Sequence, residues 1–271
     1  MIFKTDDIKY LYHYTKLETA LEKIIPSKKL RLSNFTDTND PRESKTWYFE
    51  MDNGINIPSM YDNKKGMWWQ HLTKCLKHPC RILSFSLDSP PIESIDLYQG
   101  DHRPRMWAQY ADNHRGICFV FNREKLINTA KTIFADKGKL FYGKVDYDIR
   151  NDALRPDELT INPEYFIKQE YEKLIDIMLS DNHYRSYLFR KHIDWKSENE
   201  YRIIFRGNNP ETYEYLPIEG SLVKITLGVD FPKVYIPLIE SFCKKMKIAY
   251  DKVVWYNGVP YSDPEIFCNK D

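Results

Sequence analysis

Two glutamates that stand two residues apart are the residues of this 271-residue chain best placed to do chemistry. Glu198 and Glu200 precede an apolar run, and the pattern predicts a strand over residues 195–205. Alternate residues of a strand project to the same side, so the two carboxylates would lie together. They would repel each other unless a cation, or a substrate with developing positive charge, lies between them. The pair is therefore a candidate site, and a solvated acid pair that discourages strand aggregation is the alternative.

The composition limits the classes of protein to which the chain can belong. Hydrophobic residues make up 42% and aromatic residues 15%, which is enough for a packed core. Forty basic residues against thirty-nine acidic ones give a net charge of +1, so no overall field attracts nucleic acid or an anionic membrane. Two groups of basic residues could line a local groove, although a solvated face is the more common role of such groups. They are Lys28, Lys29 and Arg31, and Arg185, Arg190 and Lys191.

Targeting and metal signals are weak in this sequence. The N-terminal region has no signal peptide pattern and no run of about 18 apolar residues occurs, so we expect a cytoplasmic protein without membrane contact. The five cysteines lack C-x-x-C spacing and fit reduced thiols. His71, Cys75, His78 and Cys80 lie within ten residues, but their spacing is not that of a usual zinc site, and we predict no metal. The role of residues 46–80 stays open.

Strand and helix patterns alternate along the chain. Residues 11–14 predict a strand, followed by a helix that Thr15 and Glu18 would cap. Residues 81–87 predict a strand on which Ser84 and Ser86 share a face. Further strands are predicted over 117–121, 140–145, 222–227 and 253–256, and helices over about 163–190 and 232–246. These patterns predict one α+β domain over residues 1–271, with a helical insertion at about 150–192.

Several common enzyme motifs do not occur. The sequence contains neither G-x-G-x-x-G nor a P-loop, so a dinucleotide-binding Rossmann unit and a P-loop nucleotidase are disfavoured. It also contains no G-x-S-x-G elbow and no H-E-x-x-H helix, which removes common serine hydrolases and zinc proteases.

Four motif blocks together resemble a known bacterial family. They are Leu11-Tyr12-His13-Tyr14-Thr15, Asn39-Asp40-Pro41-x-Glu43, Met106-Trp107-x-x-Tyr110 with Gly116, and Trp195-x-x-Glu198-x-Glu200-Tyr201-Arg202-Ile203. This set is similar to that of domain of unknown function family 2971, whose label carries no chemistry.

A strand histidine followed by a helix, a middle strand bearing serine and a late strand headed by E-x-E form a second, more distant resemblance. This order is similar to the signature of the ADP-ribosyltransferase fold, which includes bacterial toxins. The resemblance implies split mixed or antiparallel sheets, with peripheral helices around a cleft. The chain departs from the better-known members, because it has no R-S-E set and no clear H-Y-E triad.

The same resemblance implies NAD as a substrate and gives roles to the residues. Glu200 would stabilise the oxocarbenium-like state that forms when nicotinamide leaves ribose, and Glu198 would face the acceptor. The NAD-binding candidates are His13, Tyr14, Thr15, Ser84, Ser86, Trp107 and Tyr110. Taken alone, each of His13, Trp107 and Tyr110 is more typical of a structural residue in or near the core than of a ligand contact.

The implied function is transfer of ADP-ribose to a macromolecular acceptor, either nucleic acid or protein, by a toxin or a phage-defence effector. An antitoxin or a defence-system protein is then the partner to expect. One alternative is a metal-dependent hydrolase or nuclease that uses Glu198, Glu200, Asp40 and Glu43. Another is a non-catalytic module that binds a nucleotide or a partner. The further candidates have structural alternatives, because Asn39, Asp40 and Glu43 fit a turn and a helix cap, and Arg202 fits an ion pair with a glutamate.

Overall fold

The computed structural model describes residues 8–51, 64–89, 99–147, 160–181, 183–209 and 211–262. Its strands, in chain order, are β1 Tyr10–Thr15, β2 Lys29–Arg31, β3 Ser33–Asn34, β4 Glu50–Met51, β5 Cys80–Ser86, β6 Ile117–Asn122, β7 Gly138–Lys144, β8 Asp146–Tyr147, β9 Thr160–Ile161, β10 Arg190–Lys191, β11 Glu200–Gly207, β12 Tyr215–Pro217, β13 Leu222–Leu227, β14 Ala249–Tyr256 and β15 Val259–Ser262.

The helices surround these strands. The first, α1, runs from Leu17 to Ser27 and contains a π-helical turn at Ala20–Ile24. The others are α2 Pro41–Ser44, α3 Lys65–Lys77, α4 Pro104–Tyr110, α5 Arg123–Phe134, α6 Glu164–Ile167, α7 Tyr171–Met178, α8 Tyr184–Leu188 and α9 Ile236–Met246, with 3₁₀ turns at Phe35–Asp37, Ile193–Glu198 and Lys233–Tyr235.

A mixed sheet of nine strands runs through the described residues in the order β15-β14-β13-β6-β1-β5-β11-β7, with β3 also paired to β5. The pair of β13 and β14 is parallel, and the other pairs of this sheet are antiparallel. The predicted α+β class with a mixed sheet and flanking helices is thereby confirmed.

The sheet is nearly divided between β1 and β5. β1 pairs with β6 along six residues, and β5 pairs with β11 along seven. In contrast, the described ladder between β1 and β5 consists of the pair Tyr12 and Ser86 alone. Beyond this pair the two strands diverge, and the Nδ1 atom of His13 donates to the carbonyl oxygen of Ser84 (3.0 Å) in place of a backbone hydrogen bond.

Apolar side chains cover both faces of the sheet. The larger cluster packs α1, α5 and α9 against one face, and its buried residues include Phe85, Phe119, Phe134 and Phe205. A second cluster packs α3, α7 and α8 near β5 and β11 around Trp69, Phe166 and Ile204. The core therefore lies on either side of the central strands that carry the predicted site residues.

The described residues contain no helix that is both long and apolar enough to cross a membrane.

Three sequence predictions need correction. The strand predicted over 195–205 begins at Glu200, because the polar residues before it form a 3₁₀ turn and Asn199 adopts a left-handed conformation (φ 45°) that asparagine tolerates. Thr15 does not cap α1, since it is the last residue of β1 and Lys16 occupies the cap position without a side-chain bond.

The helical block over 163–190 is three short helices, α6 to α8, which Gln169 and Asp181 interrupt with positive φ angles. Residues 148–159, at the start of the predicted insertion, lie outside the described residues.

Gly116 is required by a close approach of backbone to backbone. A Cβ atom there would lie 2.2 Å from the carbonyl oxygen of Thr15 and 2.8 Å from that of Ala111. We therefore expect Gly116→Ala to lower the free energy of unfolding by about 3 kcal/mol, the upper end of overpacking costs, because backbone cannot move aside as a side chain can.

Gly66 in α3 is the matched control for Gly116, since nothing lies within 4 Å of a Cβ built there. Gly66→Ala should raise the free energy of unfolding by about 0.5 kcal/mol, because alanine restricts the unfolded chain and favours the helix. Urea denaturation of both variants measures the difference. Equal stabilities of the two variants would contradict the close packing at Gly116.

Candidate functional site

A cleft of about 680 Å³ opens where β1 and β5 diverge. This volume is in the range of small-molecule and cofactor sites. The cleft is lined by residues of β1, α1, β2, β5 and α4, together with the segment around Asn39 and the start of β11. Nine of the residues predicted from the sequence line it: His13, Tyr14, Thr15, Asn39, Ser84, Ser86, Tyr110, Glu198 and Glu200.

Ser84 lies at the centre of this cleft. It is the exposed residue of β5, whose other residues are buried. Ser84 is paired with Arg202 and Ser86 with Glu200, so these four side chains share one face of the sheet. The Ser84 side chain is close enough to the Glu200 carboxylate to contribute to lowering its pKa. Ser86 is buried, and its hydroxyl has no partner within the described part of the chain.

His13 enters the cleft as a neutral ring. The carbonyl of Ser84 can only accept a hydrogen bond, so the Nδ1 atom of His13 carries the proton. Burial lowers the pKa of His13, which favours the neutral form over the imidazolium. The Nε2 atom is then the hydrogen-bond acceptor that His13 offers to a ligand.

A lysine bridges Glu198 and Glu200. The Nζ atom of Lys191 lies 2.8 Å from Glu198 Oε2 and 2.9 Å from Glu200 Oε2. The cation that two neighbouring carboxylates require is thus supplied by the chain itself. The hydroxyl of Tyr110 donates to Glu198 Oε1 (2.5 Å), so both oxygens of Glu198 are bonded.

Arg202 holds Glu200 from the protein side. Its Nε atom donates to Glu200 Oε1 (2.8 Å), and its Nη2 atom donates to Glu200 Oε2 (3.0 Å) and to Glu43 Oε1. Its Nη1 atom donates to the carbonyl of Leu188 (2.8 Å). The guanidinium is fully buried, so this bidentate pair is shielded from water. The sequence prediction that Arg202 pairs with a glutamate is confirmed.

The charges around Glu200 keep it ionised. Burial alone would raise its pKa, but the positive charges of Arg202 and Lys191, the hydrogen bonds from Arg202 and the contribution of Ser84 outweigh burial and hold the pKa at about 2. For Glu43 the balance is reversed, because burial exceeds the attraction of Arg202 and its pKa is raised. Burial opposes the charge of Lys191, yet Glu200 and the other carboxylates raise its pKa above the ordinary value.

Glu43 is brought to the site by a short helix that is fixed at both ends. Asp40 caps α2 by accepting from the backbone N–H of Arg42 (2.9 Å), as the turn reading of this block predicts. The buried Lys77 of α3 donates to the carbonyls of Arg42 (2.7 Å) and Lys45 (2.8 Å). Burial lowers the pKa of Lys77 to about 7.

Trp107 and Tyr14, two of the predicted aromatic walls, have rings that pack in the core. Trp107 is 1% exposed and its Nε1 atom donates to the carbonyl of Asp101 (2.7 Å). The ring of Tyr14 packs edge-on against Trp107, and its hydroxyl donates to the carbonyl of Gly100 (2.6 Å). Trp107 does not line the cleft, so the prediction that its ring stacks on a ligand is corrected, whereas Tyr14 remains among the lining residues. Tyr110, three residues after Trp107, does face the cleft.

Of the other predicted residues, Asn39 lines the cleft, whereas Asp40, Glu43 and Arg202 are not among the lining residues. Among the described residues, no group of three or more His, Cys, Asp or Glu side chains is arranged to hold a metal ion. In the His71 cluster, the Nε2 atom of His71 lies 3.5 Å from Cys75 Sγ, and the buried Cys80 thiol donates to the carbonyl of Leu76.

Sequence reasoning missed the bridging role of Lys191 and the contribution of Tyr147. The Tyr147 hydroxyl accepts from the backbone N–H of Glu200 (3.1 Å). β10, which carries Lys191, pairs in parallel with β8, which carries Tyr147, and so both residues reach the start of β11. The need for a cation between the glutamates was the one signal available, and it could not say which cation.

Comparison with known proteins supports the family resemblance. Residues 106–203 match the family described as "Protein of unknown function (DUF2971)". The match contains the block around Trp107 and the block from Glu198 to Arg202, and it confirms the resemblance that the motif blocks predicted. Neither the comparison with curated proteins nor the comparison with solved structures gave a match.

Removal of Arg202 should be costly, because it leaves Glu43 and Glu200 buried without their shared cation. We expect Arg202→Met to lower the free energy of unfolding by about 3–5 kcal/mol, measured by chemical denaturation. Lys139→Met on the neighbouring strand β7 is the control, because Lys139 pairs with Asp176 and both side chains are exposed. A pair of that kind contributes about 1 kcal/mol or less. Similar losses for both variants would contradict the shared role of Arg202.

The acid stability of the protein should depend on Glu200. A lowered pKa means that the folded state binds the proton less tightly than the unfolded state. The stabilisation is therefore present above the ordinary pKa of 4.5 and is lost as the pH falls towards about 2. This difference corresponds to about 3 kcal/mol, part of which the raised pKa of Glu43 offsets.

The measurement for Glu200 is the melting temperature from pH 6 to pH 2.5, for the wild type and for Glu200→Gln. The wild type should lose stability more steeply below pH 4.5 than the variant. Glu124→Gln, on the exposed start of α5, is the control and should follow the wild type. Parallel curves for Glu200→Gln and the wild type would contradict the lowered pKa.

Proposed function

We propose that this protein is an NAD-dependent ADP-ribosyltransferase that modifies a macromolecular acceptor. The observation that carries the proposal is the meeting of His13, Ser84 and Glu200 in one cleft. They come from three neighbouring strands and are distant in sequence, yet all three line the cleft, and His13 bonds to the backbone carbonyl of Ser84. NAD would lie in the gap between β1 and β5, with the neutral His13 accepting a hydrogen bond from a ribose hydroxyl.

The ionisation of Glu200 suits an electrostatic role. A group with a pKa of about 2 is a poor general base near neutral pH, since an effective base has a pKa close to the working pH. A carboxylate that stays charged is what stabilises a developing positive charge at the ribose. Arg202 fixes the orientation of Glu200, so little reorganisation would accompany the reaction.

Lys191 occupies the position that a cationic substrate would take. The nicotinamide ring of NAD carries a positive charge, and the ribose develops one as the bond to nicotinamide breaks. Arg202 and Lys191 together place three donors on Glu200, which occupies most of the acceptor positions of a carboxylate. The flexible stem of Lys191 allows its ammonium to shift towards Glu198 and release one of these positions.

Glu198 would then activate the acceptor. Its carboxylate lies beside Glu200 but is held by Tyr110 and Lys191 rather than by Arg202. A nucleophile that enters the cleft would meet Glu198 beside the reacting carbon. An acceptor of nucleic acid or protein, a toxin or phage-defence role and an antitoxin or defence-system partner are parts of this proposal that rest on the family resemblance alone.

Of the two alternative functions, the cleft favours a non-catalytic nucleotide-binding module over a metal-dependent hydrolase. A metal-dependent hydrolase would need free carboxylates, whereas Glu198, Glu200 and Glu43 are already bonded to Lys191 and Arg202. A non-catalytic nucleotide-binding module is the second candidate, because Glu198 and Glu200 are each 3% exposed and their oxygens are occupied. Turnover separates this candidate from the transferase.

Release of nicotinamide from NAD, in the presence of lysate macromolecules as acceptors, tests the proposal. Glu200→Gln should lower the rate of release by about 10²–10³-fold with NAD binding retained, because it removes the charge that stabilises the transition state. Glu198→Gln should retain the release of nicotinamide and lose the transfer of ADP-ribose to macromolecules.

The control for these variants is Glu219→Gln, which removes an exposed carboxylate outside the cleft. Melting temperatures exclude unfolding as the cause of lost activity. A wild-type protein that binds NAD without releasing nicotinamide would support the binding module instead. Absence of both binding and release would reject both readings.

A further inference from the structure

The side of the cleft formed by α1 and β2 is rich in cations. The residues there that line the cleft include Lys16, Lys23, Lys29 and Arg31, to which we give the name cationic wall. All four are exposed. Asp37 is the carboxylate that lines the cleft near them, while Glu198 and Glu200 lie deeper and are paired with Lys191 and Arg202. The wall therefore presents positive charge to whatever enters the cleft.

The cations of this wall are largely uncommitted. Lys16 and Lys29 form no ion pair within the described residues, and Lys23 lies 4.0 Å from the exposed Glu22. The neighbouring Lys28, by contrast, is bound to Glu219 at 2.6 Å. Uncommitted lysines at the rim of a cleft are available to anionic groups of a ligand.

Aromatic side chains accompany the cations. β2 pairs with β12, and this register places Tyr215 directly beside Arg31. Tyr215 is 45% exposed and lines the cleft, and Tyr213 is 62% exposed with its ring 5.1 Å from the guanidinium of Arg31. Cations interleaved with exposed aromatic rings form the surface on which single-stranded nucleic acids bind, with phosphates on the cations and bases stacked on the rings.

The depth of the cleft favours a single strand over a duplex. Glu198 and Glu200 lie at the inner end of the cleft and are almost fully buried. A base within a duplex cannot reach such a position, and enzymes that modify bases act on single strands or on flipped bases. The net charge of +1 offers no broad field for duplex wrapping, whereas four local cations are enough to hold a short strand.

We propose that the cationic wall, with Tyr213 and Tyr215, binds single-stranded nucleic acid. The proposal rests on the proposed function in that it makes this strand the acceptor of ADP-ribose. An acidic polypeptide would satisfy the same cations, but it would make no use of the exposed tyrosine rings. The strand runs over β2 and β12 and directs one unstacked base towards Glu198.

Binding of a fluorescein-labelled 20-nucleotide single strand, measured by anisotropy without NAD, tests this surface directly. The arms of the experiment are the DNA strand, an RNA strand of the same sequence, the DNA duplex and polyglutamate. Four phosphate contacts predict a slope of about −2.8 for the logarithm of the association constant against the logarithm of salt concentration. Lys29→Ala/Arg31→Ala should reduce the slope to about −1.4 and weaken binding roughly 25-fold at 0.1 M salt.

Two controls separate charge and stacking from general effects. Lys244→Ala/Lys245→Ala removes the same charge from the exposed side of α9, outside the cleft, and should leave binding unchanged. Tyr215→Ala should weaken binding about tenfold through the loss of stacking, whereas Tyr215→Phe should bind as the wild type does. The relative affinities of the DNA and RNA strands identify which nucleic acid is preferred.

Three results would overturn the proposal. Polyglutamate that binds as tightly as the single strands would assign the wall to an acidic polypeptide. Equal losses of affinity in Lys29→Ala/Arg31→Ala and Lys244→Ala/Lys245→Ala would show that only the total charge of the protein matters. If Lys29→Ala/Arg31→Ala lost NAD binding but kept the single strand, the wall would belong to the NAD site. Binding of the single strand is measured without NAD. The result therefore does not depend on whether the protein cleaves NAD.

Discussion

The buried guanidinium of Arg202 is the interaction on which the site depends. It joins Glu200 at the start of β11, Glu43 of α2 and the carbonyl of Leu188, three parts of the chain that share no secondary structure. A buried arginine with two carboxylates is costly to desolvate, and its geometry must be nearly ideal to recover that cost. This requirement fixes Glu200 in position, and Lys191 and Glu198 are then arranged around it.

Local patterns were sufficient for much of the fold. The alternation in β5 placed Ser84 and Ser86 on one face, and the Asp-Pro pair at residue 40 indicated a helix cap, because both depend on neighbours in sequence. The start of β11 was misplaced, since a 3₁₀ turn and a left-handed asparagine have no strong local signal. For Trp107 the sequence left a core role and a ligand contact open, and only the packing of its ring against Tyr14 of β1 decides for the core.

The sequence predicted many of the residues of the candidate site, but it did not predict which cation balances the charge of the two glutamates. Two carboxylates close together require a positive partner, and that requirement follows from the sequence alone. The identity of the partner depends on the parallel pairing of β8 and β10, which brings Lys191 beside β11. Each of these two strands is only two residues long, so its sequence has no pattern that predicts the pairing. The pairing depends on tertiary packing around α8.

The single residue pair that joins β1 to β5 has a consequence for cooperativity. Long ladders join β1 with β6 and β5 with β11, and one apolar cluster contains residues of all four of these strands, including Phe85 and Phe121 in edge-on contact. Side-chain packing rather than backbone hydrogen bonding therefore joins the two groups of strands, and the cooperativity of unfolding across this boundary depends on the shared apolar cluster. The cleft lies along this boundary and is lined from both sides, so a ligand bound there would add contacts between strands that few backbone hydrogen bonds connect.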